Sequence, residues 1–195
     1  KLQPDVFSYS AGISAYEKGG WWQRALWLLS EMWEETLEPD VICYSAGMSA
    51  CVKSETWPLA LSLLSEMRKV MLEPDGISYT ATISACNRGG QWWHAMALLR
   101  EIEKVKLELD ASCYTAGIIA CGTRWQHAVV LMVEMLGERL GPNTQSCNAC
   151  ISACAICGQW RVALSLLREM TDVTVEPDIV SYSGASLACE KGAQG

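Results

Sequence analysis

The sequence lacks long apolar runs and the motifs that mark enzymes. No stretch reaches the roughly 18 consecutive apolar residues that a membrane-spanning helix needs. Only 2 of the 195 residues are histidine, and there is no phosphate-binding loop, zinc-protease motif or nucleophile elbow. We therefore expect no catalysis, no cofactor, no small-molecule substrate and no membrane partner.

Targeting features are also missing. Residues 1–5 have neither the basic and apolar regions of a signal peptide nor a transit-peptide composition. Ten cysteines would suggest a disulfide framework in a secreted protein, but most of them recur at matching places along the chain. We interpret them as reduced, small, buried residues of an intracellular protein.

An internal repeat is the dominant signal in the sequence. A short mark, usually Pro-Asp, recurs at intervals of 35, 35, 35, 33 and 35 residues: Pro4-Asp5, Pro39-Asp40, Pro74-Asp75, Leu109-Asp110, Pro142-Asn143 and Pro177-Asp178. These marks predict the tail of a preceding repeat (1–5), repeats 1 to 5 (6–40, 41–75, 76–110, 111–143 and 144–178) and a partial repeat 6 (179–195). We expect the array to have held further repeats.

Each repeat carries two amphipathic helical patterns. In repeat 1 the first pattern places Tyr9, Gly12, Ile13 and Tyr16 on one helical face. After Gly19-Gly20 the second pattern places Trp22, Ala25, Leu26, Leu29 and Met32 on one face. Such a helix pair buries its apolar face only by stacking on its neighbours, which predicts an all-α solenoid with a concave and a convex side.

Tryptophans and cysteines occupy shared places in the repeat. A tryptophan opens every second helix (Trp22, Trp57, Trp92, Trp125, Trp160), and we favour helix packing there over base stacking. Cys147, Cys150, Cys154 and Cys157 are spaced like a metal site. However, ten helical residues rise about 15 Å, too far for four sulfurs to share one zinc at about 2.3 Å. Cys154 also matches Cys51, Cys86, Cys121 and Cys189, which indicates a core place and no metal.

Three strings resemble the pentatricopeptide repeat consensus: VICYS at residues 41–45, ALSLLSEM at 60–67 and EPD at 73–75. The resemblance extends over essentially the whole chain. A tetratricopeptide array would repeat every 34 residues with a different signature and without the Pro-Asp ending. The resemblance implies a right-handed α-solenoid of helix-turn-helix repeats, a superhelix like that of tetratricopeptide proteins.

The resemblance also implies modular recognition of single-stranded RNA, one base per repeat. In the family the fifth and last residues of a repeat contact the base, and the second residue sandwiches it. The base-recognition pairs would be Ser10 with Asp40, Ser45 with Asp75, Thr80 with Asp110, Thr115 with Asn143 and Asn148 with Asp178, with Ser183 in repeat 6. The family's code then predicts 5′-GGGAU-3′. The sandwiching residues would be Phe7, Ile42, Ile77 and Val180.

The residues alone allow a second interpretation of these places. An Asp or Asn just before a helix is also what N-capping selects, so Asp40 taken alone is better explained as a cap. The fifth places are more telling, because they hold small polar residues inside a helix, where such residues are poor helix formers. For the set as a whole we favour RNA recognition. The family's usual site of action would make the protein organellar, in transcript processing, stabilisation or translation.

The formal charge of −7 argues against a simple nucleic-acid footprint. Lys18, Lys53, Arg88 and Lys191 share a place near the end of the first helix, as a basic stripe for the RNA backbone or as cations favoured by the helix dipole. Acidic residues concentrate in and after the second helices: Glu31, Glu34, Glu35, Glu38, Glu66, Glu73, Glu101, Glu103 and Glu108. The alternative function is therefore a protein-binding scaffold that holds a peptide in its groove or docks proteins on this acidic outer face.

Repeat 4 departs from the pattern. Its inter-helix turn, Gly122-Thr123-Arg124, is two residues short. Leu109 replaces the proline that is expected just before the repeat. Ser112 and Gln145 stand where an aliphatic residue is expected, and Cys147 replaces the usual Tyr. These departures weaken the prediction of adenine at this repeat.

Overall fold

The structure is a computed structural model that describes residues 5–105, 107 and 110–193, and these residues form eleven α-helices without a strand. The helices are α1 Val6–Gly19, α2 Trp22–Glu34, α3 Val41–Lys53, α4 Trp57–Lys69, α5 Gly76–Arg88, α6 Trp92–Lys104, α7 Ala111–Ala120, α8 Trp125–Gly137, α9 Thr144–Ile156, α10 Trp160–Asp172 and α11 Ile179–Gly192. Glu108, Leu109 and residues 1–4 of the predicted tail lie outside the described residues. None of the described helices has the length and apolar character needed to cross a bilayer.

An N-cap begins every odd-numbered helix, which is the first helix of its repeat. The side chain of the residue before the helix accepts a hydrogen bond of 2.8 to 2.9 Å from the backbone N–H three residues later. The capping residues are Asp5, Asp40, Asp75, Asp110, Asn143 and Asp178. Each cap stabilises its helix by about 1 kcal/mol.

The turns between paired helices require a left-handed backbone. Gly20, Gly90 and Gly158 adopt it with φ of +75°, +68° and +66°. In repeat 2 the same place is held by Glu55, with φ of +58°. Repeat 4 makes its shorter turn by ending α7 at Ala120 and placing Gly122 at φ +56°.

The chain divides into two compact units, Lys1–Glu108 and Leu109–Gly195. In the N-terminal unit the first helices α1, α3 and α5 pack in a row, while α2 lies against α1 and α3, and α4 against α3 and α5. In the C-terminal unit α7, α9 and α11 form the row, with α8 against α7 and α9, and α10 against α9 and α11. Within each unit the first helices are thus covered by second helices and by neighbouring first helices.

The shared cysteine place is part of the core, as predicted. Cys51, Cys86, Cys121 and Cys154 are buried, and Cys189 near the end of the chain is half-buried. Cys147 and Cys150 are also buried, whereas Cys157 is exposed just after α9. In the described part of the chain, no group of three or more His, Cys, Asp or Glu side chains is placed to hold a metal ion.

Tyrosines of the first helices bond to glutamates of the second helices. The Tyr44 hydroxyl donates to Oε1 of Glu66 at 3.1 Å, and burial followed by the Glu66 charge raises the pKa of Tyr44 to about 12. The Tyr79 hydroxyl donates to Oε1 of Glu101 at 3.4 Å, and Arg68 forms an ion pair with the same carboxylate. Some glutamates of the second helices are therefore bound by tyrosine hydroxyls or arginine within the fold.

The tryptophans that open the second helices pack at the edge of the core rather than inside it. Trp57 lies against Gly89, where an added Cβ would come within 2.1 Å of its ring, and Trp160 lies against Gly192 in the same way. The Trp57 ring also meets His94, with ring centroids 5.1 Å apart, and His94 is half-buried. His127, at the matching place of repeat 4, is exposed.

We predict that Glu55→Gly stabilises the protein. A side chain in the left-handed region costs about 1 kcal/mol that glycine avoids, partly offset by the greater freedom of glycine in the unfolded chain. The free energy of unfolding, measured by urea titration, should rise by about 0.5 kcal/mol. Gly90→Ala is the matched control, because nothing lies within 4 Å of the added Cβ and it should lower stability by about 1 kcal/mol. A loss of stability in Glu55→Gly would contradict this account.

We also predict that stability falls between pH 9 and pH 11. Burial raises the pKa of Cys86, Cys121 and Cys154 to about 11, above the ordinary value near 9. In that range the unfolded chain has lost thiol protons that the folded chain keeps, so rising pH favours unfolding. Each thiol contributes about 1 kcal/mol to the loss at pH 10.

Urea titrations at pH 8 and pH 10 test this effect. The difference in unfolding free energy between the two pH values should shrink in Cys86→Ala, whose thiol is buried. It should stay unchanged in Cys157→Ala, which removes an exposed thiol. Equal behaviour of the two variants would show that buried thiols are not responsible.

Candidate nucleic-acid interface

The second residue of a repeat lies on the outward side of its first helix. Phe7, Ile42, Ile77 and Val180 are 79, 60, 64 and 51 % exposed. Large apolar side chains with this exposure do not contribute to the core, and they offer flat surfaces on which a base can stack. In repeats 4 and 5 the same place holds Ser112 and Gln145, which are polar and exposed.

The fifth residue follows one helical turn later on the same side. The hydroxyls of Ser10, Ser45 and Ser183 each donate at 3.1 Å to the backbone carbonyl of the second residue of their repeat. Thr115 donates to the Ala111 carbonyl at 2.7 Å. In the unbound chain these four hydroxyls donate their protons internally, so they offer only lone pairs towards a base.

Access to the fifth residue differs between repeats. Ser45 and Thr115 are only 8 % and 6 % exposed. Ser10, Thr80 and Asn148 are half-buried, and Ser183 is exposed. Contact with a base at Ser45 or Thr115 therefore requires the base edge to approach closely between neighbouring first helices.

Two of the five predicted pairs are in direct contact. The Asn143 amide donates to the Thr115 hydroxyl at 3.3 Å. The Asn148 amide donates to both carboxylate oxygens of Asp178, at 3.0 and 3.2 Å. The last residue of one repeat thus meets the fifth residue of the same repeat across the gap between consecutive first helices.

The pairs of repeats 1 and 2 are arranged differently. Ser10 and Ser45 bond within their own helices, and Asp40 and Asp75 cap the next helices, α3 and α5. Thr80 lies on α5 in the N-terminal unit, whereas Asp110 caps α7 in the C-terminal unit.

Local hydrogen bonds favour the ionised form of two capping carboxylates, those of Asp178 and Asp5. The backbone N–H of Ser181, followed by the Asn148 amide, holds the pKa of Asp178 below its ordinary value. For Asp5 the main cause of a lowered pKa is the Ser8 hydroxyl. An ionised carboxylate only accepts hydrogen bonds, so it selects base edges that donate.

Ser181 belongs to this site although the sequence analysis did not single it out. Its Oγ lies 2.5 Å from Oδ1 of Asn148 and 3.1 Å from Oδ1 of Asp178, and so connects both members of the pair. A signal was present in the sequence, because the third residue of every repeat is Ser or Cys.

The cations of the predicted basic stripe are exposed near the ends of the first helices. The Lys53 ammonium donates to the carbonyls of Glu17 and Lys18 at 2.8 and 3.3 Å. These two carbonyls lie at the end of the neighbouring helix α1. Lys191 donates to the Ile156 carbonyl at 3.4 Å in the same manner. These two cations therefore satisfy helix C-termini, as the dipole interpretation expects. Lys18 and Arg88 have no hydrogen bond or ion pair with a described residue.

Known structures share this fold. The PPR10 protein of maize in complex with an 18-nt psaJ RNA element matches 98 % of this chain at 23 % identity with a TM-score of 0.77. The PPR domain of Arabidopsis thaliana protein-only RNase P 1, in complex with tRNA, matches 92 % at 10 % identity with a TM-score of 0.78 and is itself covered to 96 %. The chain spans 28 % of the PPR10 chain. No curated protein is significantly similar in sequence.

Family-level similarity is broader. The pentatricopeptide repeat domain matches residues 1–54 and 62–124, and the PPR repeat family matches residues 142–185. These matches cover more than half of the chain, and the helix pairs described above have the α-solenoid architecture of the matched structures. The chain belongs to the pentatricopeptide repeat family.

Proposed function

We propose that this chain binds single-stranded RNA along its first helices, with one base contacted by each repeat. The observation that carries the proposal is the row of exposed apolar side chains at the second places, each one turn from a small polar fifth residue. An apolar surface beside a hydrogen-bonding group is what a splayed-out base needs for stacking and edge recognition. The structures of PPR10 with an RNA element and of the RNase P 1 PPR domain with tRNA support it.

The proposed base preference is 5′-GGGAU-3′, from the N-terminal repeat onward. Repeats 1 to 3 end in Asp40, Asp75 and Asp110, and carboxylates suit guanine because its Watson–Crick edge carries two N–H donors. Repeat 4 ends in Asn143, whose amide both donates and accepts as adenine requires. Repeat 5 pairs Asn148 with Asp178 and would take uracil. We propose organellar transcripts as targets, in processing, stabilisation or translation, on the basis of family membership.

Contacts to the RNA backbone would be few. The side chains of Lys18 and Arg88 have no partner among the described residues, whereas Lys53 and Lys191 would share their ammonium groups between helix carbonyls and phosphates. With three or four phosphate contacts, the affinity should be modest and should fall steeply as salt increases. Binding, without a catalytic step in this chain, is the proposed activity.

A protein-docking function is the second candidate. A groove of about 270 Å³ opens between α2 and α4 and is lined by Leu26, Leu29, Trp33, Leu59 and Glu66 among others. Trp27 on the same helix α2 is 58 % exposed. An apolar groove next to acidic residues suits a basic amphipathic segment, and it would leave the first helices open to RNA.

RNA titration tests the main proposal. In low salt, an RNA that contains GGGAU should bind more tightly than a scrambled RNA of equal length, as measured by fluorescence anisotropy. Equal affinity for the two RNAs, or no binding to either, would refute modular recognition. The variant Ile77→Ala should weaken binding several-fold, because base stacking contributes about 1 kcal/mol. Val133→Ala is the matched control, since Val133 on α8 is 62 % exposed and Ile77 is 64 % exposed.

Exchange of fifth residues tests the base assignment. Thr80→Asn should move the preference at the third base from guanine towards a pyrimidine. Asn148→Thr should move the preference at the fifth base from uracil towards guanine, because both variants keep an Asp as the last residue. The measurement is a panel of RNAs that carries each of the four bases at the tested position. Unchanged base order in both variants would contradict the assignment.

A further inference from the structure

The third residue of each repeat touches the last residue of the preceding repeat. It is always Ser or Cys: Ser8, Cys43, Ser78, Cys113, Ser146 and Ser181. Its backbone N–H makes the capping hydrogen bond in every case, so its side chain is held beside the capping group. The third place is therefore adjacent to the group proposed to recognise the base.

Serine adds a second hydrogen bond that cysteine does not match. The Ser8 and Ser78 hydroxyls donate to Oδ1 of Asp5 and Asp75 at 2.7 Å, and the Ser181 hydroxyl lies 3.1 Å from Oδ1 of Asp178. Cys43 donates its backbone N–H to Asp40 at 2.9 Å, and its thiol supplies only a weak second bond to the same side chain. Asp5 and Asp75 are thus each held by two strong bonds, whereas Asp40 is held by one strong and one weak bond.

A second strong bond holds the plane of a carboxylate firmly, whereas the weak bond of a thiol leaves more rotation about the terminal side-chain torsion. Acceptance from the two N–H groups of guanine depends on that plane, because hydrogen bonds weaken steeply when they are misaligned. A fixed carboxylate should therefore separate guanine from adenine more sharply than a rotating one.

We propose, on the basis of the proposed function, that the third residue of a repeat sets how strictly the preceding repeat selects its base. Serine at this place makes the selection stricter than cysteine does. It acts by positioning the carboxylate and does not contact the base itself. For repeat 5 the third residue that follows is Ser181. Its hydroxyl lies within hydrogen-bond distance of both recognition residues of that repeat, Asn148 and Asp178.

Repeats 1 and 2 form a natural matched pair for this proposal. Both would recognise guanine through a Ser and an Asp, and both serine hydroxyls bond to the second-residue carbonyl at 3.1 Å. They differ in the third residue of the repeat that comes next. Cys43 follows Asp40 at the end of repeat 1, and Ser78 follows Asp75 at the end of repeat 2. Cys43 and Ser78 are each 0 % exposed, so the buried place accepts either side chain.

The experiment exchanges these residues and measures the ratio of dissociation constants for adenine against guanine at the first and second base. Cys43→Ser should raise the ratio at the first base about fivefold and leave the second unchanged, whereas Ser78→Cys should lower it at the second base by a similar factor. Ser78→Ala should behave like Ser78→Cys, because the hydroxyl is the active group. Thermal melting of each variant shows that the array remains folded.

The outcomes separate this inference from the function beneath it. If the parent chain prefers GGGAU but the exchanges shift overall affinity without changing either ratio, the third residue is merely structural and the inference is overturned. If the parent chain shows no base preference at all, the proposed function fails and takes the inference with it. A ratio change confined to the expected base supports the inference.

Discussion

The hydrogen bond from the third residue's N–H to the preceding Asp or Asn side chain is the constraint on which the rest of this molecule depends. It fixes where each first helix begins, and so it fixes which residues point outward. Ile42 faces out because Asp40 caps α3 where it does, while Tyr44 turns inward to meet Glu66. The same bond holds the capping carboxylate between consecutive first helices, where the Asn148–Asp178 contact shows that a fifth residue can reach it.

The same Asp or Asn side chain therefore caps a helix and, in the proposed function, recognises a base. Different atoms of that side chain serve the two roles. The backbone N–H and the hydroxyl of Ser78 both donate to Oδ1 of Asp75, so Oδ2 is the oxygen left for a base. A substitution of Asp75 would remove a helix cap together with a recognition group, and its effect on RNA binding would mix the two losses. Changes at the fifth and third places are cleaner tests because they leave the cap in position.

The helix pairs were predictable from the sequence because the period, the apolar spacing and the Gly and Pro punctuation all act locally. The left-handed backbone at Glu55 was not, since a glycine marks each of the other turns (Gly20, Gly90, Gly122 and Gly158) but not this one. The second places named above are exposed and Asn148 contacts Asp178, while the role of both in binding stays a prediction. The bond from Lys53 to the Glu17 carbonyl, 36 residues away, depends on how α3 packs on α1 and has no local signal.

The net charge of −7 loses much of its weight once the positions of the acids are known. Glu66 and Glu101 are bound by tyrosine hydroxyls, and Glu101 also by Arg68. The capping aspartates sit at helix N-termini, where the dipole offsets negative charge. Meanwhile Lys53 and Lys191 are turned towards helix carbonyls. With a net negative charge the protein gains little from long-range attraction to RNA, so in the proposed function stacking on the second residues and hydrogen bonds at the fifth and last places must supply most of the binding.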